Sequence, residues 1–265
     1  MKVFISADME GVTGTTTWEE CDNKSPFYAR FAEQMTQEVL AAIEGATAAG
    51  ATEIVVKDAH SSATNIDITQ LPEHVKLIKC WSGHPYSMVD GIDASFDAIM
   101  FVGYHSAAGI GGNPLSHTMT GNPWTIKING EYASEFMIYS YAAALEGVPT
   151  IFLSGDKNLC EAAQILHPCI TTVPVKEGFG GTTINISPKL SLKQIKKQSE
   201  TALKVDLKAS KISLPNHFTV EITYKEHTYA TRKSFYPGIE RIGSHTLKFE
   251  TDNYFEVLRL IAFVL

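Results

Sequence analysis

The feature that most constrains this chain is a set of apolar runs that each break off on an acid or a histidine. The opening residues, MKVFISADMEGVTG, set the pattern. Lys2 to Ala7 is short, apolar and rich in β-formers, which predicts a buried strand. It stops at Asp8-Met9-Glu10-Gly11. In extended chain Asp8 and Glu10 leave on the same face. Two carboxylates side by side repel each other unless a cation sits between them. Taken alone, the pair reads as a solvated turn with an acidic lip; the rest of the chain changes that reading.

A Gly/Thr-rich loop, Gly11 to Thr17, precedes a helical pattern from about Pro26 to Ala49. In it Phe31, Met35, Val39, Ala42 and Ile43 recur at helical spacing, and Gly50 closes the helix. Glu53 to Lys57 predicts a second buried strand, followed by Asp58-Ala59-His60. Val75 to Ile78 predicts a third, and Pro85 to Asp90 a short helix. Asp97 to Gly103 is the most strand-like run and leads into Tyr104-His105-Ser106. Trp124 to Ile128 reads as a strand, with Asn129-Gly130 as a hairpin turn. Ser134 to Leu145 reads as a helix with Glu135 in its first turn. Pro149 to Leu153, Leu159 to Leu166 and Ile170 to Val175 continue as strand, helix and strand. Apolar strands alternating with helices predict an α/β fold: a mainly parallel sheet with helices on both faces.

The texture changes near Lys176 to Thr183. Ser191 to Val205 is a lysine-rich amphipathic helix, and Phe218 to Tyr224 alternates like a half-exposed strand. Arg241 to Glu250 suggests a strand pair, and Tyr254 to Leu265 an apolar helix. The expected organisation is a catalytic α/β domain over 1–184 and a smaller C-terminal α+β domain over 185–265, the latter suited to assembly. Length permits this, since 265 residues make one large domain or two small ones.

Charge and composition narrow the partners. A net charge of −7 argues against nucleic acid, which normally requires a basic face. No apolar run is long enough for a bilayer, and the early Asp8 is wrong for a signal peptide. Cys21, Cys80, Cys160 and Cys169 form no CxxC pair, which suits lone thiols in a reducing compartment. The cytoplasm is the expected location.

Three strand ends carry ligand-type residues: Asp8 and Glu10, Asp58 and His60, and His105. Carboxyl ends of parallel strands form the crevice in which such folds bind ligands. Glu135 can join from its helix terminus. This set suits zinc or a similar divalent ion, and with one bridging aspartate it suffices for two. Against it stands the ordinary loop histidine, to which His74, His84, His167, His217, His227 and His245 are assigned. Asp58 is open between a turn role and holding the ring of His60. Gly109-Ile110-Gly111-Gly112 lacks a dinucleotide fingerprint, and there is neither GxSxG nor HExxH. Ser116-His117 is weak as a serine nucleophile pair.

With these residues in view, the chain resembles the M55 family of metallopeptidases, the D-aminopeptidase family of the dipeptide-transport operon. The resemblance rests on SADMEGVTG, VVKDAHSSATN, DAIMFVGYHS, LSHTM, INGEYASEFMI and YPGIERIGSHTLKFET, in that order. It implies two zinc ions held by Asp8, Glu10, His60, His105 and Glu135, with Asp8 as the bridge. It implies His117 as the catalytic histidine, donating to an oxyanion or passing a proton to the leaving amine. It implies a metal-activated water that removes the N-terminal residue from a short peptide, with the D or L configuration of that residue left open. It also implies a homodecamer with sites on an internal channel. Ser134 stands where a glycine is expected, the following helix is bulkier, and the loop from Gly11 to Cys21 differs in texture. These departures bear on substrate preference. The competing readings are another metallohydrolase, such as a phosphoesterase served by Lys57 or Lys127, and a non-catalytic metal-binding assembly protein.

Overall fold

The computed structural model describes residues 1–265. In chain order the elements are β1 (Lys2–Ala7), α1 (Trp18–Cys21), α2 (Tyr28–Ala48), β2 (Glu53–Asp58), β3 (Val75–Ile78), β4 (Ala98–Tyr104), β5 (Pro123–Ile128), β6 (Glu131–Tyr132), α3 (Glu135–Leu145) and β7 (Thr150–Asp156). They continue with α4 (Lys157–Leu166), β8 (Thr171–Phe179), β9 (Thr182–Asn185), α5 (Pro188–Ala202), β10 (Phe218–Tyr224), α6 (His227–Lys233), β11 (Glu240–Arg241), β12 (Thr246–Thr251) and α7 (Tyr254–Val264). The short helix expected near Pro85 is a single 3-10 turn at Ser87–Val89. Neither α1 nor α6 was anticipated; both are too short to show a helical period.

Seven strands form one sheet in the order β3-β2-β1-β4-β7-β8-β9. All neighbours from β3 to β8 are parallel, and β9 closes the edge antiparallel to β8. The α/β expectation with a mainly parallel sheet therefore holds. The two faces have separate cores. Val3, Ile5 and Ala7 pack with Met35, Val39 and Ile43 of α2 and Ile195 of α5, whereas Phe4 turns to the core of α3 and α7. Burial on both faces is why these strands read as continuous apolar runs.

The order reverses between β1 and β4. The carboxyl ends of those strands are the switch point, where open α/β sheets leave a crevice. Asp8, Glu10 and His105 follow those two ends.

A second, antiparallel sheet runs β11-β12-β10-β5-β6. Phe218, Val220, Ile222 and Tyr224 of β10 all point inward, onto the side of the first sheet that carries α3 and α7. The sheets do not divide at the expected 184/185 boundary. β5 pairs with β10, Ile126 opposite Ile222, although it was read as part of the first region. Conversely α5, read as part of the C-terminal region, packs on the first sheet. Gly45 of α2 lies so close to α5 that a Cβ there would be 2.0 Å from Ser199 Oγ. The Asn129-Gly130 turn fixes the β5–β6 hairpin locally, but which sheet a hairpin joins is a long-range choice.

Candidate metal centre

The end of β1 is pressed against β4. Asp8 N donates to Val102 O and Gly11 N to Gly103 O, each at 2.8 Å. A Cβ on Gly11 would lie 1.8 Å from Tyr104 O, and Gly103 has φ +74°. Only glycine tolerates that approach and that conformation. The tight turn puts Asp8 and Glu10 over the switch point. His60 arrives just beyond β2, His105 beyond β4 and Glu135 at the start of α3. All five are buried, none more than 5% exposed.

Their atoms form one chain of contacts. His60 Nδ1 lies 2.9 Å from Glu10 Oε2 and 3.3 Å from Asp8 Oδ1. His105 Nε2 lies 3.4 Å from Asp8 Oδ2 and 3.2 Å from Glu135 Oε2. The two oxygens of Asp8 thus face different histidines. His117 Nε2 follows at 3.7 Å from Glu135 Oε1, and its ring stacks on His105 with centroids 4.4 Å apart. The six residues expected from the sequence are brought together, and none of the other six histidines joins them.

Each ring is turned by a backbone carbonyl. His60 Nε2 donates to Cys21 O at 3.0 Å, His105 Nδ1 to Ser106 O at 3.0 Å, and His117 Nδ1 to Leu115 O at 2.8 Å. A carbonyl only accepts, so those nitrogens carry the hydrogen. The opposite nitrogen of each ring then faces the carboxylates, the arrangement by which neighbours fix the tautomer of a ligating histidine. Asp58 does not hold His60. It accepts from Asn65 N, Asn65 Nδ2 and Ile66 N, which makes it the brace of the loop after β2.

Burial and mutual charge pull the acids apart. Burial, reinforced by the Glu10 charge, holds Asp8 well above the carboxylate range. Burial also opposes ionisation of Glu10, but the charge and hydrogen bond of His60 outweigh it and hold Glu10 well below. Glu135 is lowered likewise, burial being overcome by His105. Burial disfavours charge on the imidazoles, yet the acids win: His60 is raised by Glu10, and His105 is pushed up to about 10 by Glu135.

Several supporting residues were not anticipated. Asp156 accepts from Ser106 N at 2.7 Å and Ser106 Oγ at 2.6 Å while capping α4 through Leu159 N at 2.9 Å. Its position at the end of β7 was a usable signal. Lys176 donates to the carbonyls of Glu10 and Thr15, and Asn113 Nδ2 to Glu10 O at 2.9 Å. Burial lowers Lys176 to about 8. Nothing in its sequence context marks a buried lysine. The Cys21 thiol sits with Glu10 and His60, and burial pushes it far up. Ser134, the departure noted in the sequence, caps α3 by accepting from Met137 N at 3.1 Å, which steadies the turn carrying Glu135.

Positive φ at non-glycine residues gathers around this site: Ser61, Ala63, Cys80, Ser87 and Met119. Such conformations persist where surrounding structure over-determines them. At φ +64° Met119 aims its N–H at Glu135 Oε1, 2.6 Å away. Above the ligands opens a cavity of about 700 Å³, lined by Asp8, Glu10, His60, His117 and Glu135 and walled by Trp18, Trp81, Met88 and Met119.

Comparison with known proteins agrees with this geometry. The family model for peptidase M55, described as D-aminopeptidase, matches residues 1–263. A D-aminopeptidase of Bacillus subtilis (strain 168) is 29% identical over 260 residues, 97% of this chain and 93% of that protein. The solved structure of the Zn-dependent D-aminopeptidase DppA from Bacillus subtilis, a self-compartmentalizing protease, matches with a TM-score of 0.93 at 27% identity. The match covers 100% of this chain and 96% of that one. The ordered motifs, the switch-point site and the match over nearly every residue converge: this chain belongs to the M55 peptidase family.

Proposed function

We propose that the chain is a zinc-dependent aminopeptidase that removes the N-terminal residue, of D configuration, from short peptides. The observation that carries the reading is a pair of orphaned atoms. Asp8 Oδ2 and His105 Nε2 are buried without a hydrogen-bond partner, and they lie 3.4 Å apart. Buried polar atoms are normally satisfied. A cation between them satisfies both, and three carboxylates with two tautomer-fixed imidazoles are the donor set zinc takes. The oxygens of Asp8 face different histidines, so Asp8, Glu10, His60, His105 and Glu135 would together hold the zinc, with room for two ions if Asp8 were shared.

When bound, the ions bring the pKa of coordinated water near neutrality and polarise a carbonyl oxygen. The remaining work falls to side chains. Lys176 and Asn113 hold the Glu10 carbonyl and so aim its carboxylate. Met119 N–H does the same for Glu135. His117, its Nδ1–H engaged by Leu115 O, has Nε2 as its exchanging atom. In the neutral ring Nε2 takes a proton; in the charged ring it returns that proton to the leaving amine or donates to a developing oxyanion.

A phosphoesterase needs a fixed cation for its anionic substrate. No Lys or Arg lines the cavity. Lys57 Nζ is spent on Cys80 O and the face of Trp81, and Lys127 covers Tyr132. The peptide reading is therefore favoured.

The likeness to a self-compartmentalizing protease supports self-association. We extend this to a homodecamer enclosing its active sites. No helix is long and apolar enough to cross a membrane. The four free cysteines suit a reducing compartment, and on that ground we propose the cytoplasm.

Metal content per chain, measured on protein purified without chelator, tests the reading alongside release of alanine from short D- and L-alanyl peptides. About two zinc ions and chelator-sensitive release from the D-peptides are expected. No bound metal and no rescue by zinc, cobalt or manganese would return Asp8 and Glu10 to an acidic turn.

A further inference from the structure

One wall of the cavity is built around a tightly held tryptophan, Trp81. Trp81 is 40% exposed, yet its indole is held in place. Its Nε1 donates to Ser61 O at 2.8 Å, and Lys57 Nζ sits 4.2 Å from its ring centroid. The preceding residue, Cys80, is strapped through both backbone groups: its N donates to Ala63 O at 3.0 Å, and its carbonyl accepts from Lys57 Nζ. Cys80 and Ser61 both adopt positive φ to make these ties. Lys57 itself is fully buried. A buried ammonium is costly unless its contacts are worth the desolvation, and here those contacts are the Cys80 carbonyl and the indole face. A fixed aromatic plane facing a ligand cavity differs from a surface tryptophan free to turn.

Beyond Trp81 the space continues. A second cavity of about 230 Å³ shares Trp81 and Met119 with the first and ends on Tyr139 and Ile261. Met88, 3% exposed, completes the apolar lining on the ligand side. In a metal-dependent aminopeptidase the scissile carbonyl and the free amine of the N-terminal residue are both held at the metal centre. The side chain of that same residue then has to be housed in the cavity that Trp81, Met88 and Met119 line with the ligands.

We infer that Trp81 is a specificity-determining residue, and that the enzyme prefers a large apolar, above all aromatic, N-terminal residue over alanine. The inference rests on the aminopeptidase reading and deepens it by naming the substrate class. Trp81 supplies a flat apolar wall, and Met88 and Met119 adapt to the ring edge. Apolar pockets discriminate through lost contact area, which sets the scale at roughly ten- to two-hundredfold.

The test compares kcat/KM of the zinc-loaded enzyme on Ala-Gly, Leu-Gly and Phe-Gly dipeptides with D and L first residues. Wild type is expected to favour Phe over Ala by at least about tenfold in the configuration it cleaves, carried mainly by KM. Trp81→Ala should collapse that ratio toward one. Trp81→Phe, which keeps an aromatic wall, should retain most of it. If Trp81→Ala fails to fold, the wild-type ratio and Trp81→Phe still decide. Equal or better cleavage of Ala-Gly by wild type, or an unchanged ratio in Trp81→Ala, would overturn the inference and leave the aminopeptidase standing. Cleavage of none of the dipeptides, with zinc bound, would overturn both.

Discussion

The switch point of the parallel sheet and the second, antiparallel sheet use burial for opposite ends. Around β1 and β4, burial encloses three carboxylates and two imidazoles within a few ångströms, and it shifts their proton affinities far from ordinary values. Around β10, burial encloses Phe218, Val220, Ile222 and Tyr224 with Tyr254 and Leu258 of α7. Polar groups there are tied off one by one: Tyr224 Oη donates to Val264 O at 2.9 Å and Tyr254 Oη to Ile138 O at 2.8 Å. The first region gathers charge in a buried place, and the second buries apolar area with its polar groups paired. What sets the switch point apart is that two buried atoms without a partner, Asp8 Oδ2 and His105 Nε2, face each other at 3.4 Å, whereas others such as Thr150 Oγ1 and Glu38 Oε2 lie outside the cluster.

The largest effect should come from breaking the ligand set. Asp8→Ala or His60→Ala is expected to lose metal and activity together, with kcat/KM falling by at least about three orders of magnitude, as for removal of a central catalytic group. Metal analysis and peptide turnover on the same preparation check this. Asp8→Asn sharpens the contrast. It should also lose metal, but it relieves a carboxylate held uncharged by burial, so the metal-free protein should melt no lower than wild type. A lower melting temperature would show that Asp8 stabilises the fold in its own right.

His117→Ala is expected to keep its metal and lose about 10²- to 10⁴-fold in kcat, the usual share of a positioned acid–base group. Retained turnover with metal bound would remove His117 from the mechanism.

The antiparallel region should answer oppositely. Phe218→Ala is expected to cost about 3–5 kcal/mol of stability, while the folded protein keeps its metal stoichiometry and its KM. Denaturant melts paired with metal content separate the two quantities. A change in stoichiometry would break the division between the regions.

The pH dependence follows from the histidines. His105 is raised in the folded state, so in metal-free protein its contribution is complete below its unfolded value, about 6.5, and fades as pH rises through about 10. Metal binding instead requires deprotonated ligands and strengthens with pH. The gap in melting temperature between zinc-loaded and chelated protein should therefore widen from pH 6 to pH 9. A gap that narrows would contradict the ligand set. The smallest effect is expected at Ser134→Ala, where a lost helix cap costs about 1 kcal/mol. Melting curves would register a fall of roughly 2–4 °C.

Much of this was legible in the residues. The strands β1, β2 and β4 read directly, because burial on both faces writes a continuous apolar run. The residues after them marked the site, because parallel strands deliver their carboxyl ends to one edge. The roles around those residues did not read. Asp58 braces a loop where it stood as a partner for His60, and the Cys21 carbonyl takes that place, since a backbone acceptor has no side-chain signature. Lys176 and Lys57 look like ordinary surface cations in sequence, and only packing reveals them as buried.

The sequence by itself determined the local order: which segments are strands and helices, which end in ligand-type side chains, and which family the ordered motifs resemble. These depend on spacing within ten or twenty residues. Only the tertiary structure decided that β5 leaves the first sheet to pair with β10, that Asp8 presents one oxygen to His60 and the other to His105, and that Trp81 is fixed in the cavity wall by Lys57. Each is a contact between residues far apart in the chain. Its choice is made by the packing of the whole molecule, which no local pattern encodes.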